Sequence, residues 1–213
     1  MTLFALLGVP AFLMVVYGLT VAAPYGRPRR GGIGAATPIP LVDFLKGLVY
    51  GVIGAVVGVV LQRFLTLSYR LFPMFLHYLV VDYLVAAALV AVGVLGFYRK
   101  KTLLETIFFA GGFYTVVAIG NGLRSFGSYE SYSLFLRPAL HMATVLYLPL
   151  FLSAYQEWYG PRRVLYAVSA VGVPIIATGI ALLHRSFYEP WALAVAALFV
   201  AGAATVQFYS ADR

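Results

Sequence analysis

The sequence predicts an all-α integral membrane protein, a polytopic bundle of about seven transmembrane helices. Composition is the first reason: 62% of the 213 residues are hydrophobic, 10% are charged, and the mean hydropathy is +0.93. Soluble domains carry about 25% charged residues, and this chain in water would expose far more apolar area than a soluble protein tolerates. Backbone chemistry is the second reason, because lipid admits only helices or a closed barrel, in which every N–H and C=O is paired internally. Barrel strands alternate apolar and polar residues over about ten positions, whereas Val85 to Gly96 is continuously apolar. The third reason is segment length, since a span needs about 20 apolar residues. Such segments run over roughly 3–23, 42–66, 73–97, 104–122, 138–157, 164–183 and 190–208.

The first segment, with Pro10 as a tolerated kink, reads as a retained helix. No basic residue precedes its apolar run, which is longer than the roughly 7–15 residues of a signal-peptide core. Residues 24–40 follow as a basic, Gly- and Pro-rich connection containing Arg27, Arg29 and Arg30. Its stretch from Gly31 to Pro38 lacks the Lys and the preceding strand of a phosphate-binding loop. The other connections are short, so residues 1–213 are expected to form one transmembrane domain.

Basic residues in short loops predict orientation. Arg27, Arg29, Arg30, Lys46, Arg99, Lys100, Lys101, Arg162, Arg163 and Arg213 fall on one side, and Arg63, Arg70, Arg124, Arg137 and Arg185 on the other. The heavier side is expected to be cytoplasmic, which puts the N-terminus outside and the C-terminus inside, in the cell (cytoplasmic) membrane. The net charge of +8 sits at helix ends and in loops, so anionic lipid headgroups are its expected partner, and nucleic acid is not.

The second segment carries Gly47, Gly51, Gly54 and Gly58 along one helical stripe. Small residues at this spacing let a second backbone approach closely, the usual means of helix association in lipid. The expected partner is either a helix of this chain, with the stripe Ala194, Ala197, Ala201 and Ala204 as a candidate, or another membrane subunit or a second copy.

Polar residues inside the apolar segments are the functional candidates, because a charge in the bilayer costs several kcal/mol and normally faces a bundle interior or a wet cavity. Asp82 is the deepest carboxylate of the third segment, and Tyr78, one turn away, is its expected hydrogen-bond partner. His77 lies nearer the helix end and about 140° around it, at 100° per residue. The fourth segment delivers Asn121 and Arg124 to the same outer half. The fifth stacks Arg137, His141 and Thr144 on one face, and Tyr129, Glu130 and Tyr132 belong to the loop before it. Arg137 or Arg124 is expected to pair with Asp82. Glu105 is expected to pair with Lys101 and Glu157 with Arg162 or Arg163, while His184, Arg185 and Glu189 need no special role. Pro149 and Pro174 fall inside helices, where a proline frees a carbonyl and bends the axis.

Several chemistries lack their residues. The chain has no cysteine, which removes thiol redox chemistry and disulfides. Neither HExxH nor GxSxG occurs, and no cofactor or metal ligand set is legible. In size and helix count alone the chain is similar to small substrate-binding membrane subunits of multi-component importers, and equally to seven-helix acyltransferases, whose phosphate-cradling motifs it lacks. The leading expectation is a transport or ligand-recognition component with an outer-half polar pocket around Asp82, Arg137 and His141. A non-catalytic structural or assembly subunit of a membrane complex comes second, and a membrane-embedded lipid-modifying enzyme third.

Overall fold

The computed structural model describes residues 2–18, 39–65, 70–97, 102–124, 131–186 and 189–210. Among them are seven helices and no strand: α1 (Thr2–Tyr17), α2 (Leu41–Phe64), α3 (Leu71–Phe97), α4 (Leu103–Arg124), α5 (Tyr132–Glu157), α6 (Pro161–Arg185) and α7 (Glu189–Ser210). Five of them, α2 to α6, are long and apolar enough to cross a membrane, with mean hydropathies from 1.4 to 2.3. The chain is a multi-pass, all-α membrane bundle. The basic connection up to Pro38, Arg99 to Lys101, Tyr129, Glu130 and Arg213 lie outside the described residues.

α4 and α5 form the centre. Within their apolar windows 61% and 72% of residues are buried, against 17% for α2, so α2 lies at the edge of the bundle with most of its surface turned away from it. It is held to α4 through its glycines. A Cβ on Gly47 would strike the Phe109 carbonyl oxygen, one on Gly51 would lie 2.7 Å from the Phe113 carbonyl oxygen, and one on Gly54 would enter the Phe113 ring. Gly112 of α4 returns the contact against the Phe44 carbonyl oxygen. The partner of the ladder is therefore α4 of the same chain, and not α7. On α7 the inward residues are Ala192, Ala196 and Ala203, whereas Ala194, Ala197 and Ala201 face outward. Gly58 meets nothing within 4 Å and takes no part in the contact.

Helix ends follow local chemistry. Thr102 and Glu105 form a reciprocal capping box at the start of α4: the Thr102 N–H donates to Glu105 Oε2 (2.7 Å) and the Glu105 N–H to Thr102 Oγ1 (3.3 Å). That accounts for Glu105, and the expected partner Lys101 is outside the described residues. α5 and α6 are joined through Gly160 at φ 67, a left-handed position that a side chain would strain. Beside this turn the guanidinium groups of Arg162 and Arg163 lie over Trp158 and Tyr155 at 4.7 and 4.4 Å, a cation–π arrangement.

Besides Gly18 at the end of α1, two internal segments depart from α geometry. Tyr78–Leu84 of α3 and Tyr132–Leu136 of α5 are π-helical, with the Val85 N–H reaching the Val80 carbonyl and the Arg137 N–H the Tyr132 carbonyl. The second explains why α5 begins six residues before the expected start at 138. Pro138 has no N–H for the preceding turn, and the wider turn accommodates it.

Candidate functional site

Both π-helical segments face each other in the bundle, and the polar side chains gather there. Arg137 Nη2 donates to Asp82 Oδ1 in a buried ion pair. The Tyr132 hydroxyl donates to Asp82 Oδ2 at 2.9 Å, and the Tyr83 and Tyr132 hydroxyls are 3.1 Å apart. Asp82 is 3% exposed and Arg137 8%, so the pair sits in a low-dielectric interior where an unpaired charge is costly. About eleven residues separate Asp82 from the start of α3 at Leu71, roughly 16 Å of helix at 1.5 Å per residue.

The π geometry decides which residues join. Bonds from i to i+5 bring side chains five apart toward one face. Tyr78 and Tyr83 therefore both reach Tyr132, the first by ring packing at 5.2 Å and the second through its hydroxyl. In α5 the same step brings Tyr132 and Arg137 together, with the guanidinium 5.8 Å from the Tyr132 ring centroid. Asp82 thus receives its phenolic hydrogen bond from Tyr132 across the bundle, where the sequence suggested Tyr78 on the same helix.

His141, one α turn beyond Arg137, is fully enclosed. Its ring packs between Tyr83 (5.9 Å) and Tyr114 (5.1 Å). It lies against the Asp82 main chain without a well-formed hydrogen bond. Both of its ring nitrogens, the Tyr114 hydroxyl and Arg137 Nε are buried without a hydrogen-bond partner among the described residues. Buried polar atoms in native structures are nearly always paired, so four such atoms on three neighbouring side chains mark a specialised place. Thr144, the third residue of that stripe, satisfies its hydroxyl on the Leu140 carbonyl at 2.8 Å.

The remaining candidates lie elsewhere. His77 Nδ1 is 2.6 Å from the Leu65 carbonyl oxygen at the end of α2, where it ties α3 to α2. Asn121 lines a narrow cleft between α2, α3 and α4 with Gln62 and Val81. Arg124 ends α4, and its side chain is outside the described residues. Two wider grooves are apolar: one of about 250 Å³ beside Ala87, Leu148 and Pro174, and one of about 650 Å³ beside Val49, Tyr50 and Phe97.

Sequence reasoning missed Tyr83, Tyr114 and His184. Ser131 Oγ is 2.9 Å from His184 Nε2, which is 3.5 Å from Glu189 Oε1. The His184 ring faces Tyr132 at 5.8 Å. This clamp joins the start of α5 to the end of α6 and the start of α7, and it borders the buried cluster. The available signal was modest: a tyrosine beside Asp82, and another in the middle of an apolar helix. No protein-family model, curated protein or solved structure matches the chain. The functional reading therefore rests on the chemistry of the cluster.

Proposed function

We propose that this chain is a transport or ligand-recognition component of its membrane, and that its working site is the buried cluster of Asp82, Arg137, Tyr132, Tyr83, His141 and Tyr114. One observation carries the reading: fully enclosed His141, with no well-formed hydrogen bond to either ring nitrogen among the described residues, sits beside a buried ion pair flanked by two π-helical segments. An ion pair that only locked the helices would need neither the unpaired imidazole nor the unpaired Tyr114 hydroxyl. Leaving such atoms buried costs about 1–3 kcal/mol each, and π-helical turns inside α-helices occur frequently at functional sites. By the distribution of basic residues the cluster belongs to the outer half of the bilayer.

The assembly-subunit reading drew on the glycine ladder, and α4 of the same chain occupies Gly47, Gly51 and Gly54. The enzyme reading called for a lipid headgroup beside His141, and that side chain has no exposed surface. Both points favour a site that exchanges small species with one face of the membrane.

The test is proton movement into gluconate-filled liposomes carrying the purified chain and an internal pH dye, started by adding chloride, nitrate and phosphate outside and run with and without a potassium–valinomycin potential, so that both charge-moving and electroneutral uptake are read. Wild-type vesicles are expected to acidify faster than empty ones, and Asp82→Asn vesicles to fall to the empty rate. Equal rates for wild type and a folded Asp82→Asn variant would sink the transport reading.

A further inference from the structure

The cluster contains more donors than its own acceptors use. Among the described residues Asp82 is the one carboxylate in it, and both of its oxygens are engaged, by Arg137 Nη2 and by Tyr132. Arg137 Nε–H and the Tyr114 O–H remain as unused donors, and His141 offers an N–H from whichever nitrogen is protonated. All three side chains are at least nine-tenths buried. Arg137 and His141 are one turn apart on α5, and the Tyr114 ring of α4 packs on the far partner, His141. A guanidinium edge with an imidazole donor one turn away in a dry interior suits a small oxyanion, the partner arginine recognises best.

Charge decides what must accompany the anion. Arg137 and Asp82 already neutralise each other, so an anion entering alone would leave an uncompensated buried charge, a state costing several kcal/mol. A proton taken by His141 cancels it. The imidazole becomes an imidazolium with two N–H donors, and anion and proton together add no net charge. Other ionisable groups facing this position are Tyr78 and Tyr83 from α3 and Tyr132 from α5, with His184 of α6 behind Tyr132. From α2 the neighbouring polar residue is uncharged Gln62, in the adjoining cleft.

We infer that the buried cluster binds a small monovalent oxyanion together with one proton, with Arg137 Nε and His141 as the anion's donors and His141 as the proton carrier. This rests on the site proposed above and names the class of its ligand. In the binding step the His141 nitrogen lone pair accepts a proton from hydronium at the membrane face: the N–H bond forms, one hydronium O–H bond breaks, and water leaves.

The test uses the full chain in mild detergent, with nitrate as probe and gluconate keeping ionic strength constant. Nitrate is expected to raise the thermal midpoint, with an apparent affinity that strengthens about tenfold for each unit fall in pH, the limit for one linked proton. Direct titration in weak buffer should show about one proton taken up per nitrate bound, a reading that needs no variant. His141→Phe should lose the nitrate response, and His141→Gln should lose its pH dependence. The inference is overturned by a wild-type midpoint indifferent to nitrate, by binding without proton uptake, or by an unchanged response in folded His141→Phe. Asp82-dependent proton movement without nitrate binding would overturn this inference alone, leaving the transport reading in place.

Discussion

Replacing the ion pair with apolar residues separates its structural role from its functional one. Asp82 and Arg137 are 3% and 8% exposed, so solvent screens neither charge appreciably. Removing one partner strands the other, and such single changes in buried pairs cost about 3–5 kcal/mol. Arg137→Met also strips Asp82 of one of its two donors. Asp82→Leu leaves the guanidinium with its charge uncompensated and the Tyr132 hydroxyl without its acceptor. Changing both removes the two charges together, and apolar replacement of a buried pair is neutral or stabilising by about 1–4 kcal/mol. The lost Tyr132 hydrogen bond offsets about 1 kcal/mol of that. The Asp82→Leu/Arg137→Met protein is therefore expected within about 2 kcal/mol of wild type in stability, while each single variant falls well below it. The assay is denaturation by sodium dodecyl sulfate in mixed micelles, read by the loss of a monodisperse peak and by tryptophan fluorescence. A double variant as unstable as the sum of the two singles would refute the argument, as would singles costing under about 1 kcal/mol. The stable double variant should also move no protons, because a site kept for its chemistry fails when the fold survives without it.

Other predictions concern the surrounding contacts. Gly47→Ala should lower stability by about 1–3 kcal/mol through overpacking, because its Cβ would meet the Phe109 carbonyl, whereas Gly58→Ala should leave the thermal midpoint unchanged. Tyr132→Phe removes a hydrogen bond to a charged carboxylate and should cost about 1.5–3 kcal/mol, against about 0.5–1.5 kcal/mol for Tyr83→Phe, in the same denaturation assay. Glu189 is held below the usual carboxylate range, first by its hydrogen bond with Ser131 and then by His184. A depressed carboxyl stabilises above its unfolded pKa and loses that contribution as pH falls through its folded value. The difference in thermal midpoint between wild type and Glu189→Gln should therefore be present at neutral pH and vanish in acid; a difference independent of pH would contradict the clamp.

The fold was legible because its cause is local. Apolar segments of near-bilayer length, with prolines and basic residues at their ends, are forced into helices by backbone hydrogen bonding, and among the described residues each of those segments is helical. The glycine ladder was legible as a packing face for the same reason. Its partner was not, since Gly47 and Phe109 meet only in the folded bundle. In the cluster, Asp82, Arg137 and His141 stood out because ionisable residues are rare in apolar runs. The aromatic residues around them did not, since an α-helical projection places Tyr83 away from Tyr78 and Tyr132 away from Arg137.

By itself the sequence determined that the chain is a membrane-spanning helical bundle with a few ionisable residues at depth, because solvation in lipid acts on each segment separately. Tertiary structure decided that α4 receives α2, that Arg137 is the base paired with Asp82, and that Tyr83, Tyr114 and Tyr132 enclose His141. For α2 on α4 the physical reason is the close approach that the glycines allow, and for the cluster it is the pair of π-helical turns. They rotate side chains away from their α-helical positions, and their effect depends on two helices distant in sequence lying against each other.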